Sequence, residues 1–217
     1  MNEENSIAQR VEEAGVIAIF RKLPPAVIAP LAEALVEAGI RAIELTVESE
    51  GAYESIRMIR DRFASDVVVG AGTLMTKDDI AQAVDAGADF LLSPHLDVDL
   101  LAAAHELGVP MTPGIATPTE VVQAVHAGAQ TLKLFPAAPL GPAYLKDLLG
   151  PFKGKQFIPT GGITATNAAD FIQAGAIAVG MGSSLATTDE ISRQDWAAIQ
   201  TRVRTALREV HEAKAAR

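Results

Sequence analysis

Short apolar runs alternate along the chain with stretches that carry an apolar stripe at helical spacing. The runs at 16–20, 42–46, 67–73, 90–94, 110–115, 131–136, 157–163 and 178–182 are the right length for parallel strands buried on both faces. Between them, helical segments end in glycine at Gly39, Gly87, Gly108, Gly128 and Gly175. Glycine takes the left-handed conformation that closes a helix. These glycines lie one or two units of roughly two dozen residues apart, the length of one strand plus one helix. Thr117, Pro118 and Glu120 supply a capping hydroxyl, a first-turn proline and a reciprocal carboxylate at one helix start. Apolar spacing predicts helices over 25–38 and 191–213, the latter with Trp196, Ile199, Val203 and Leu207 on one face.

Strand and helix units in this number, with no long linker, predict an α/β fold of one domain over 1–217, a (β/α)8 TIM barrel with a short N-terminal extension and a C-terminal helix. In such barrels the chemistry gathers at the C-terminal ends of the strands, so polar residues late in an apolar run are informative. Lys133 in TLKLFP, Glu44 in AIELT and Thr73 at the end of VVVGAGT meet that condition. Alternation places Thr131, Lys133 and Phe135 on one face and Ala42, Glu44 and Thr46 on another, so Lys133 and Glu44 both point into the barrel. A self-satisfying buried ion pair is the competing explanation, and such pairs contribute little to stability. Apolar surroundings favour the neutral amine of a lysine, the form that attacks carbonyls, and a carboxylate beside it would move protons.

Glycine-rich turns follow the last two strands: Thr160, Gly161 and Gly162 in one, Gly182 and Ser183 in the other. Turns at these strands commonly grip phosphate through bare backbone N–H groups, although glycines needed only for tight turning would read the same way. The four histidines lie at no metal-ligand spacing, and no dinucleotide fingerprint is present, so neither metal nor cofactor is expected. Absence of cysteine excludes disulfides, and a net charge of −9 argues against nucleic-acid binding. The start MNEENSIAQR lacks the features of a signal peptide, and no apolar run approaches membrane-spanning length; a cytoplasmic protein is expected.

The segments IELT, VGAGT, LSP, PGIATPTE, LKLFPA and PTGGI, in that order, resemble those of the 2-keto-3-deoxy-6-phosphogluconate (KDPG) aldolase family, which includes phosphogalactonate and 4-hydroxy-2-oxoglutarate aldolases. The resemblance runs from about Ile17 to Leu185. It implies a class I aldolase in which Lys133 forms a Schiff base and Glu44 is the general acid and base. It also implies that Thr73, Pro94 and Phe135 line a pyruvate pocket, that Gly161, Gly162 and Ser183 hold phosphate, and that the protein is a metal-free homotrimer. The products would be pyruvate and glyceraldehyde 3-phosphate. Where phosphogluconate-type members carry an arginine for the substrate carboxylate, this chain has Glu48. Arg21 in AIFRK resembles the arginine of the phosphogalactonate-like branch and would supply that charge.

Other readings stay open. One is a phosphate-binding barrel performing isomerisation, epimerisation or decarboxylation without a covalent step; another is a catalytically impaired trimeric scaffold. Within the family, preference for phosphogalactonate-type or unphosphorylated 4-hydroxy-2-oxoglutarate substrates is the alternative.

Overall fold

A strand buried on both faces needs helices outside it and side chains inside, and this chain meets both demands by curling a parallel sheet until its ends meet. A computed structural model describes residues 3–217. Met1 and Asn2, which the sequence reading includes in the N-terminal extension, lie outside the described residues. The order is α1 (Glu3–Ala14), β1 (Val16–Phe20), α2 (Pro25–Glu37), β2 (Ala42–Thr46), α3 (Ala52–Phe63), β3 (Val68–Gly72), α4 (Lys77–Asp85), β4 (Phe90–Leu92) and α5 (Val98–Glu106). It continues with β5 (Met111–Thr112), β6 (Gly114–Ile115), α6 (Pro118–His126), β7 (Thr131–Leu134), α7 (Ala137–Leu149), β8 (Gln156–Pro159), α8 (Ala165–Gln173), β9 (Val179–Met181), α9 (Thr188–Ser192) and α10 (Trp196–Ala215).

The ladders run β5-β4-β3-β2-β1-β9 and β6-β7-β8. The fifth strand, expected unbroken over 110–115, is split because Pro113 has no N–H to donate. Its carbonyl still accepts from the Lys133 N–H at 2.9 Å, which carries the wall across the break. At the other seam, Thr160 and Gly180 form a parallel bridge, and the Ile177 N–H donates to the Phe157 carbonyl at 3.1 Å. The sheet is thereby closed into the expected (β/α)8 barrel.

Capping follows the local code. The Thr117 N–H donates to the Glu120 carboxylate at 2.8 Å, and the Glu120 N–H returns to the Thr117 hydroxyl at 3.3 Å. The single helix expected over 191–213 is in fact two. Gln194 turns left-handed at φ 54°, and Asp195 then caps α10 by accepting from the Ala198 N–H at 3.2 Å. A capping aspartate starts a new helix more readily than it continues an old one.

The bottom of the barrel is sealed by α1, whose Val11 and Ala14 pack with Ile17, Ala42, Val68, Phe90, Ile158 and Ala178. Higher up, the inner wall turns to glycine. A Cβ at Gly70 would strike the Phe90 ring, one at Gly72 the Glu44 carboxylate, and one at Gly180 the Thr160 hydroxyl. Barrels of this kind are usually filled with branched side chains; here missing side chains make room for polar ones near the top. Among the described residues, no helix is long and apolar enough to cross a membrane.

Candidate active site

Strand alternation brings Glu44 and Lys133 to the same height from separate parts of the wall. Glu44 lies beside Ile19 of β1 and Gly70 of β3, while Lys133 lies beside Gly114 of β6 and Ile158 of β8. Both are buried, with 1% and 4% exposure, and the Lys133 Nζ stands 3.6 Å from the Glu44 Oε1. That separation gives attraction without a direct hydrogen bond. Both Glu44 oxygens are buried with no hydrogen-bond partner. An unsatisfied buried carboxylate lowers stability, so packing does not account for this pair. The lysine ammonium also lies 5.5 Å from the centre of the Phe135 ring, within range of a cation–π attraction.

Above the pair opens a cavity of about 730 Å³, lined by both residues. Its walls also include Arg21, Thr73, Phe135 and Thr160, together with Gly161, Gly162, Gly182 and Ser183 from the last two strand ends. Gly161 and Gly162 take φ 94° and 73°, conformations that side chains rarely tolerate. Their carbonyls are already occupied, by the Ala138 N–H at 3.0 Å and by the Asn167 amide at 3.0 Å. The turn is thus pinned from behind. Ser184 adds a bond from its hydroxyl to the Ile163 carbonyl at 2.7 Å, tying the two glycine-rich turns together.

A buried amine and a carboxylate with free lone pairs in one cavity, beside glycine-rich turns, suit covalent carbonyl chemistry. Residues 7–202 match the family profile described as KDPG and KHG aldolase. The chain belongs to the KDPG and KHG aldolase family. It is 36% identical over 211 residues to the 2-dehydro-3-deoxy-phosphogluconate aldolase of Dickeya dadantii, covering 95% of this chain and 98% of that one. Among solved structures it resembles the KDPG aldolase of Legionella pneumophila with pyruvate captured at low pH as a covalent carbinolamine intermediate, at 30% identity and a TM-score of 0.85, covering 92% and 97% of the two chains. The 2-keto-3-deoxy-6-phosphogluconate aldolase of Zymomonas mobilis with 3-phosphoglycerate is similar at 32% identity and a TM-score of 0.83, covering 95% of each chain. The protein is therefore an aldolase, a carbon–carbon lyase.

Pro94 follows β4, where the Ser93 hydroxyl donates to the His95 carbonyl at 2.7 Å; its backbone lies against Gly114, the β6 neighbour of Lys133, although Pro94 is not among the residues lining this cavity. Arg21 reaches the cavity but is 57% exposed, and its Nε donates to the Glu48 Oε1 at 2.7 Å. Thr73 holds a left-handed φ of 62°, an uncommon conformation for a residue with a branched side chain. Lys22 and Thr46 also line the cavity. Thr46 was legible as an inward residue two positions after Glu44; its hydroxyl shares a 3.0 Å hydrogen bond with Ser49. Lys22 carried no such signal, since alternation ends with β1 at Phe20 and the backbone then turns left-handed at φ 52°. His95 is not part of the lining. Among the described residues, no group of three or more His, Cys, Asp or Glu is placed to hold a metal.

Proposed function

We propose that this aldolase cleaves 2-keto-3-deoxy-6-phosphogluconate-type acids to pyruvate and glyceraldehyde 3-phosphate through a Schiff base on Lys133. The observation that carries this reading is the 3.6 Å approach of Lys133 to a Glu44 carboxylate that nothing else satisfies. Lys133 passes its ammonium proton to Glu44, and the neutral amine then attacks the C2 ketone and gives a carbinolamine. Loss of its hydroxyl as water, with a proton supplied by Glu44, leaves an iminium. Glu44 then takes the C4 hydroxyl proton, the C3–C4 bond breaks, and its electron pair moves into the iminium to give an enamine and the free aldehyde. A proton returned to C3 and hydrolysis by water release pyruvate and restore Lys133. Each proton step needs a carboxylate with a free lone pair, which a fully hydrogen-bonded glutamate would lack.

Thr73 and Phe135 would border the three-carbon keto acid, and Thr160, Gly161, Gly162, Gly182 and Ser183 would hold the phosphate end. The pyruvate carbinolamine of the Legionella relative and the 3-phosphoglycerate with the Zymomonas relative support a cavity that takes both a keto acid and a phosphate. We assign the working form, from the family resemblance, as a metal-free homotrimer in the cytoplasm that acts on small molecules. The charge of −9 makes nucleic acid an unsuitable partner. The test is incubation with pyruvate and sodium borohydride, followed by peptide mass spectrometry. A reduced adduct on the peptide containing Lys133 is expected; a protein that turns over substrate without any adduct would overturn the covalent mechanism. Comparing the two C4 epimers with unphosphorylated 4-hydroxy-2-oxoglutarate then sets the preferred substrate.

A further inference from the structure

The cavity of this aldolase holds four charged side chains: Arg21, Lys22, Glu44 and Lys133. Two of the three cations are already matched. Lys133 faces Glu44 at 3.6 Å, and Arg21 is bonded to Glu48 at 2.7 Å. Among the described residues, Lys22 has no carboxylate within salt-bridge distance. With Glu48 outside the lining counted beside Arg21, one ammonium group, that of Lys22, is left unmatched among the described residues, on a chain whose net charge of −9 repels anions at long range.

Position strengthens the case. The parallel register between β1 and β9 pairs Ala18 with Met181, and the next residue of β9's exit, Gly182, lies against Ile19. Lys22, three residues beyond Ile19, lines the same cavity as Gly182 and Ser183. Its backbone is held at φ 52°, and its N–H donates to the Ser49 hydroxyl at 2.8 Å. That bond fixes the backbone from which the exposed Lys22 side chain starts. The glycine-rich turns offer N–H groups and a hydroxyl but no formal positive charge, whereas a phosphate ester carries close to two negative charges at neutral pH.

We infer that Lys22 is the charge that recognises the phosphate end of the substrate, while Glu48 keeps Arg21 from serving that role. The inference rests on the aldolase reading above and deepens it, making Lys22 the residue that separates phosphorylated from unphosphorylated substrates. It is tested with the full-length variants Lys22→Met, which keeps the stem and removes the charge, and Lys22→Arg, which keeps the charge. In Lys22→Met the KM for the phosphorylated keto acid should rise about tenfold or more, with kcat changed far less, and competitive inhibition by inorganic phosphate should weaken in parallel. Lys22→Arg should recover most of the loss. The wild-type preference for phosphorylated substrate over 4-hydroxy-2-oxoglutarate should shrink as ionic strength rises.

An unchanged KM in Lys22→Met would overturn the inference. So would an equal rise for both substrates, which would assign the charge to the keto-acid carboxylate that they share, or an equal loss in Lys22→Arg, which would mark a structural role for the turn. Borohydride trapping with pyruvate separates this from the underlying reading: an adduct together with indifference to Lys22 overturns only the present inference, while the absence of any adduct removes both.

Discussion

Glu44 and Glu190 are both buried acids that face a cation, yet their surroundings differ in almost every other respect. Glu190, at the start of α9, accepts from the Thr187 N–H at 3.0 Å, from the Thr187 hydroxyl at 2.8 Å and from both terminal nitrogens of Arg202. The Arg202 guanidinium, helped by these bonds and opposed by burial, pulls its pKa from the usual 4.5 to about 2. Glu44 has one lysine at 3.6 Å and no hydrogen bond at all. The first arrangement uses the carboxylate to cap α9 through Thr187 and to tie it to α10 through Arg202; the second keeps its lone pairs free for a substrate. A buried acid with all its partners reads as structure, and one left without them reads as chemistry.

The sharpest way to break this contrast is to remove the amine. Lys133→Ala should lower cleavage by more than about a thousandfold and abolish borohydride trapping, while the melting temperature stays within a few degrees of wild type. Near-normal turnover would end the covalent reading. Glu44→Gln should cut kcat by about a hundredfold to ten-thousandfold. It should also leave the protein equally or more stable, because a neutral amide replaces an unsatisfied buried charge; a large fall in denaturant midpoint would show that Glu44 holds the fold instead.

Glu190→Gln should behave in the opposite way. Loss of a charged network there should cost about 2 kcal/mol in urea unfolding while kcat stays close to wild type. Acid titration gives the smallest effect. The folded pKa of Glu190 lies below the unfolded one, so its contribution to stability is complete above pH 4.5 and is lost as the pH falls toward 2. After solvent screening this amounts to about 1–2 kcal/mol. Urea midpoints measured from pH 6 down to pH 3 should show the slope in the wild type and a shallower one in Glu190→Gln; identical slopes would mean that other acids govern acid unfolding.

What could be read along the chain was whatever depends on near neighbours. The bounds of β1 and β2 and the capping box at Thr117 were legible because alternation, propensity and capping act over a few residues. The inward aim of Lys133 and Glu44 followed from the same alternation. The split of the fifth strand at Pro113 was within reach too, since a proline has no ladder N–H, but the apolar run around it masked the break. Likewise the stripe continuing from Ile191 to Val203 hid the new start that Asp195 makes at α10.

Distances between strands remote in sequence were not legible, because they are set by closure of the barrel. Closure leaves Glu44 without a hydrogen bond, commits Arg21 to Glu48 and leaves Lys22 as the unmatched charge in the cavity. Residue type and period are properties of the chain, whereas which charges cancel is a property of the closed barrel, since Coulomb attraction and hydrogen bonding depend on ångström separations that no local pattern encodes.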